Sequence, residues 1–365
     1  MAETDKSKQT SMRVMSGVKS QHDGMGHTST VKKFTKKKPL TIDEDAYVQG
    51  IRNGSRLHLA KAITFIESTV GDQQQIGQSL LKRLLPFTGN SIRIGITGVP
   101  GAGKSTFIEA FGKMLGDEGF KVAVLAIDPS SSITGGSILG DKTRMEELAR
   151  HPNAFIRPSP AAGTLGGVHK KSRETLLLCE AGGYDVILVE TVGVGQSETI
   201  VRGMVDFFLL LALTGAGDEL QGMKKGIMEL ADALVVNKAD GTNEKLAKKT
   251  VAEYKQILHF LAPATPHWTT PALAVSSLYK TGLDTVWKTV QTFQHDMQAN
   301  HVWQNRRKEQ TVSWFKTMIV DRLYEDFFSS TDKKETMANL EQMVRQEKVT
   351  VSQAVEELFS SNSKE

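Results

Sequence analysis

Gly98-Val99-Pro100-Gly101-Ala102-Gly103-Lys104-Ser105-Thr106 is the stretch that decides the fold of this 365-residue chain. Its first eight residues match the phosphate-loop pattern: a glycine, four free positions, then Gly-Lys-Ser. Ahead of it, residues 91–97 alternate, with Ile92, Ile94 and Ile96 on one face, and so predict a strand. Behind it, residues 104–115 carry helical spacing that Gly116 closes. The chemistry needs that strand–turn–helix order. The glycines let backbone N–H groups turn inward around phosphate oxygens, and the helix N-terminus adds its dipole. Lys104 is a point charge for the β- and γ-phosphates, the Ser105 hydroxyl a Mg²⁺ ligand, and Thr106 an α-phosphate contact.

Working outward, residues 122–127, 186–189, 207–213, 234–236 and 272–275 supply further apolar strand runs. Helical patterns stand between them at about 169–181, 222–231 and 243–261. Strands alternating with helices predict an α/β fold: a P-loop NTPase with a mostly parallel sheet flanked by helices. Residues 41–88 read as a helical N-terminal extension and 89–282 as the core. Residues 283–365 are all-helical, with segments at about 283–298, 304–328, 333–347 and 351–360. A motif-free helical segment rich in large apolar residues (Trp303, Trp314, Phe315, Leu323, Phe327) reads as a homodimer interface.

Two kinds of carboxylate follow the loop. Val186-Ile-Leu-Val-Glu190-Thr-Val-Gly193 is an apolar strand ending in an acid, the place for a group that holds Mg²⁺ or orients the attacking water, and Gly193 offers an N–H to the γ-phosphate. Asp128 ends the second core strand in the same way, and Asp141 follows in Gly140-Asp-Lys-Thr-Arg144. Lys104, Glu190 and Asp128 are the candidate catalytic groups. Ser105, Asp128, Asp141 and Glu190 are the candidate metal ligands, although a lone acid at either Asp position is more often a cap or turn residue.

Asn237-Lys238-Ala239-Asp240 comes directly after the strand at 234–236. A carboxylate there can accept from guanine N1–H and the N2 amine together. Adenine presents an acceptor at N1 instead, leaving the carboxylate unpaired at a cost of ~1–3 kcal/mol. The motif therefore predicts GTP. Ser276, Ser277 and Leu278 follow the next strand and are placed to close over the base.

Composition sets limits. Residues 1–40 hold nine lysines or arginines against three acids, so the basic excess of the chain belongs to a tail that reads as disordered. The remainder gives no electrostatic case for nucleic acid. The longest apolar run, 207–213, is far below the ~18 residues of a membrane helix. The single Cys179 sits in an apolar stretch and reads as core. The nine histidines form no metal-spaced cluster, which argues against a metallochaperone, and no acceptor domain marks a small-molecule kinase.

Together with Asp128-Pro-Ser-Ser131, Gly140-Asp-Lys-Thr-Arg-Met145, Arg157-Pro-Ser-Pro160, Gly163-Thr-Leu-Gly-Gly167, Glu190-Thr-Val-Gly-Val-Gly-Gln-Ser197 and Gly217-Asp-Glu-Leu-Gln-Gly222, the loop resembles the MeaB/ArgK/MMAA family of P-loop GTPases over roughly residues 45–330. The resemblance implies a homodimeric GTPase that serves an adenosylcobalamin-dependent methylmalonyl-CoA mutase by gating cofactor loading and protecting the enzyme. It implies Mg²⁺ with GTP and GDP, no tightly held organic cofactor, a 215–225 loop that communicates with the mutase, and C-terminal helices that dimerise. The tail lacks a clear presequence, so the bacterial cytoplasm is expected rather than the mitochondrial matrix.

Overall fold

The computed structural model describes residues 42–127, 145–158, 165–191, 197–214 and 225–360, with backbone alone at 165–170, 197 and 225. The expected basic tail lies outside them.

Three helices come first: α1 (Glu44–Arg52), α2 (Arg56–Glu67) and α3 (Gly71–Leu84). Asp43 starts α1 by accepting the Ala46 N–H at 3.1 Å. The central layer follows as strands and helices in alternation: β1 (Ile92–Gly98), α4 (Lys104–Asp117), β2 (Val122–Ile127), α5 (Glu146–Arg150), β3 (Ala154–Arg157), α6 (Leu165–Ala181), β4 (Val186–Thr191), α7 (Ser197–Arg202), β5 (Phe207–Ala212), α8 (Lys225–Met228), β6 (Ala233–Val236), α9 (Glu244–Phe260) and β7 (Ala272–Ala274). Four helices end the chain: α10 (Leu283–Ala299), α11 (Val302–Phe327), α12 (Thr331–Arg345) and α13 (Val351–Ser360).

The strands form one sheet in the order β3-β2-β4-β1-β5-β6-β7, and every pairing is parallel. The period-two patterning explains why both faces are covered. Ile92, Ile94 and Ile96 of β1 join Val122, Val124, Val186 and Leu188 on one face, under α4 and α10. The alternate residues, Ala123, Leu125, Ile187, Val189 and Phe208, face α2, α3 and α6 on the other. A smaller cluster under α9 covers β5 and β6, with Tyr254 fully buried. This is the expected α/β fold with a parallel sheet between helical layers. Cys179 is buried in the second cluster, and burial pushes its thiol well above the ordinary range, which suits a core residue. Among the described residues no helix is long and apolar enough to cross a membrane.

Several expectations need correction. Helix α4 runs through Gly116 to Asp117. Gly116 is a contact point rather than a stop, since a Cβ there would lie 2.6 Å from the His151 ring. The helix expected at 222–231 is described only as Lys225–Met228. β3 is four residues long and was hidden between Pro152 and Pro158. Trp303, expected on a dimer face, is 7% exposed and belongs to the main core, with Arg307 stacked 5.0 Å from its ring.

Candidate functional site

The order in which the chain adds its parallel strands reverses about β1. The connection after it crosses β4 to reach β2, whereas β5, β6 and β7 lie on its other side. In a parallel sheet the crevice for a ligand opens outside the carboxyl end of such a strand. The glycine-rich loop, 98–103, fills that position. Gly98, Gly101 and Gly103 take φ of 155°, 81° and 81°, which side chains resist. Two of them are also needed for space. A Cβ on Gly98 would strike the Leu211 carbonyl of β5, and one on Gly103 would lie 2.8 Å from Asn237 Nδ2.

Lys104 begins α4 and turns back over the loop, donating from Nζ to the Gly98 carbonyl at 2.8 Å and the Val99 carbonyl at 3.4 Å. Burial pushes its ammonium below the ordinary lysine value, while the charges of Glu190 and Glu198 pull the other way. The Ser105 hydroxyl donates to Glu190 Oε1 at 3.1 Å. Glu190 is 7% exposed, near the end of β4, in register with Ile96 of β1 and Ala126 of β2. The next residue, Thr191, donates at 2.9 Å to Thr97, so a buried hydroxyl pair ties the two strands where they reach the loop. A hydroxyl and a carboxylate side by side make an oxygen-rich spot of the kind a hard divalent cation takes. Thr106 is exposed on the first turn of α4.

The second half of the site hangs from β6. Asn237 Nδ2 donates to the Ala102 carbonyl at 2.9 Å, and Asn237 Oδ1 accepts the Ser277 hydroxyl at 2.7 Å. One buried amide thus clamps the phosphate loop to the segment after β7. Lys238 takes a positive φ of 59°. Asp240 lies beyond it, and its Oδ2 accepts the Ser276 hydroxyl. Asp240, Ser276, Tyr279, Glu244 and Lys248 line a cavity of about 460 Å³. Leu278 is 69% exposed and is not in that lining; Tyr279, which the sequence reading passed over, is.

The structure therefore brings Gly98, Lys104, Ser105, Glu190, Asn237, Asp240, Ser276 and Ser277 to one end of the sheet. Asp128, Asp141 and Gly193 lie outside the described residues, as does the 215–225 loop up to residue 224. Glu198 was missed: it is buried on α7, and its charge reaches Lys104. The acid beside Ser197 was its only signal, in a glycine-rich stretch that reads as loop.

A family model described as methylmalonyl Co-A mutase-associated GTPase MeaB matches residues 59–332. A putative GTPase of Caulobacter vibrioides is 51% identical over 320 residues, covering 88% of this chain and 98% of that protein. The mouse methylmalonic aciduria type A homolog, a mitochondrial protein, is 44% identical over 310 residues, 82% of this chain and 75% of that one. The crystal structure of a LAO/AO transport system kinase is similar at a TM-score of 0.71 and 37% identity, covering 88% of this chain and 99% of that one. A phosphate loop at the turning point of a parallel sheet, a guanine-type motif clamped to it, and a family match across both place the chain in the MeaB family of GTPases, enzymes that hydrolyse GTP.

Proposed function

We propose that this protein is a GTP-hydrolysing chaperone of an adenosylcobalamin-dependent methylmalonyl-CoA mutase or a related acyl-CoA mutase, gating cofactor loading and protecting the mutase. The observation that carries the reading is the match, over 59–332, to a family described by its association with that mutase. In this reading the backbone of Gly98, Val99, Pro100, Gly101, Ala102 and Gly103 cradles the phosphates, with Lys104 on the β- and γ-phosphates and Thr106 on the α-phosphate. Ser105 and Glu190, joined by Asp128 and Asp141, would hold Mg²⁺, which would supply positive charge toward the transferred phosphoryl group. Gly193 donates to the γ-phosphate. Asp240 reads guanine, Lys238 flanks the base, and Asn237, Ser276, Ser277 and Leu278 brace or cover it. A place in the bacterial cytoplasm belongs to the same reading, beside a relative from a bacterium.

The test is single-turnover GTP hydrolysis by the full chain with and without a cobalamin-dependent methylmalonyl-CoA mutase. We expect co-elution of the two proteins and acceleration of at least about tenfold. No co-elution together with an unchanged rate sinks the reading.

The homodimer belongs to the same proposal. On α11, Val312, Phe315, Ile319 and Leu323 recur at helical spacing and are 53%, 65%, 43% and 64% exposed. A stripe of that kind is costly to leave in water, and a second copy of the chain is the occupant the family reading supplies. Sedimentation should show a dimer. Phe315→Asp with Leu323→Asp should weaken it at least about a hundredfold, since buried anchors contribute roughly 2 kcal/mol or more each. A wild-type monomer at micromolar concentration refutes the interface.

A further inference from the structure

Helix α7 packs on β1, the strand that leads into the phosphate loop, and is bonded by the C-terminal helix α11. At its start stands Glu198, a buried acid. Near its end, Val201 rests on β1: a Cβ at Gly95 would lie 2.9 Å from Val201 Cγ1. The loop-bearing strand and α7 are therefore in contact with no slack, and close-packed interfaces pass a displacement on. At its end, one turn after Glu198, Arg202 reaches a buried node. Its Nη1 lies 3.0 Å from Asp232 Oδ2, and its Nη2 donates to Thr265 Oγ1 at 3.1 Å. Asp232, fully buried just before β6, also accepts the Phe208 N–H of β5 at 2.9 Å.

Helix α11 holds that end of α7 from outside. Arg306 donates to Thr265 Oγ1 and to the Asp206 carbonyl, with Nη1 3.7 Å from Asp232. Gln310, one turn further on, donates to the Arg202 carbonyl at 3.3 Å and the Val205 carbonyl at 2.8 Å. The last carbonyls of a helix have no partner of their own, and here a side chain of α11 supplies one.

We propose that Arg306 and Gln310 are positioning residues for GTP hydrolysis: α11 fixes α7, α7 fixes β1, whose carboxyl end carries the phosphate loop, and the seating of α11 thereby sets the hydrolysis rate. The inference rests on the assignment of Lys104 to the nucleotide phosphates. Arg307 provides the contrast. It lies on the same helix and is similarly buried, yet it bonds the Asp206 carboxylate and the carbonyls of Gly89 and Ser91, at the far end of β1, and none of its bonds reaches α7 or Asp232.

The experiment compares full-length Arg306→Ala, Arg306→Lys, Gln310→Ala and Arg307→Ala by single-turnover GTP hydrolysis, GDP affinity and thermal midpoint. Arg306→Ala and Gln310→Ala should each slow hydrolysis about tenfold, with GDP affinity held within about twofold, because misplacement acts on the transition state more than on ground-state binding. Arg306→Lys should recover most of the rate. Arg307→Ala should lower the midpoint at least as far and leave the rate within about twofold. Unchanged rates in the first two overturn the proposal, as does an equal loss of rate in Arg307→Ala. If Arg306→Ala does not fold, Gln310→Ala decides, since it removes only neutral hydrogen bonds. Lys104→Ala, run in parallel, separates the two readings. Hydrolysis retained there strikes the phosphate assignment, while the Gln310 and Arg306 rates still decide whether α11 sets turnover.

Discussion

Lys104→Ala is expected to lower GTP hydrolysis at least about a hundredfold while the protein stays folded. Hydrolysis spreads negative charge over the γ-phosphoryl oxygens, and the enzyme's contribution is a set of fixed positive groups aimed at that charge. Lys104 is the cation that the phosphate loop itself provides. Removing one preorganised group of this kind costs about 2.7–4 kcal/mol, or 10²–10³ in rate. Among the described residues, the charges that act on Lys104 are those of the acids Glu190 and Glu198, which cannot replace it. Stability should change little. Among the described residues Lys104 Nζ bonds loop carbonyls, at 2.8 and 3.4 Å, and the core of α4 is made by Phe107, Ile108, Phe111 and Leu115. The measurements are steady-state turnover and a melting curve on the same preparation. Turnover within tenfold of wild type in a folded variant contradicts the role given to Lys104.

The contrast between Lys104 and Glu198 shows what the sequence could disclose. The phosphate loop is legible because its chemistry is local: the turn, the cation and the hydroxyl sit within a few residues, and the backbone geometry they need demands glycine at fixed positions. Asn237 is legible by motif, but its work is not local. It reaches back to the Ala102 carbonyl and forward to Ser277, and only the fold brings those segments together. Glu198 and Arg202 carry no spacing that marks them. Their places depend on α7 lying against Gly95, which is a matter of how a helix seats on a sheet. Trp303 shows the opposite failure. A large aromatic in a helical tail reads as interface material, yet it sits on the turn of α11 nearest the core and is buried there, whereas Phe315 and Leu323, further along, remain exposed. Periodicity finds an apolar face without saying whether the same chain or another covers it.

Asp240→Asn is expected to weaken GTP binding by two orders of magnitude or more and to favour xanthosine triphosphate in its place. Asp240 lines the cavity beyond β6, and its Oδ2 accepts the Ser276 hydroxyl. A carboxylate held in this way presents acceptors to the two adjacent donors of guanine, N1–H and the N2 amine. Hydrogen bonds to a charged group contribute roughly 1.5–3 kcal/mol each, so disrupting the pair costs about 3–6 kcal/mol, or 10²–10⁴ in affinity. Asparagine keeps one oxygen for the Ser276 hydroxyl, which preserves the local fold. Its amide NH₂, however, then opposes the guanine amine donor to donor. Xanthine carries a carbonyl where guanine carries that amine, so the new NH₂ gains an acceptor. The phosphate groups are untouched, because Lys104, Ser105 and Glu190 stand at the other half of the site and bond one another and the loop rather than Asp240. Once saturated with nucleotide, the variant should hydrolyse at close to the wild-type rate. Titration of wild type and variant with the two triphosphates, followed by single-turnover assays at saturation, measures each step. A variant whose GTP affinity stays within about threefold of wild type removes Asp240 from base recognition. Weaker binding of both triphosphates alike makes it a structural residue instead.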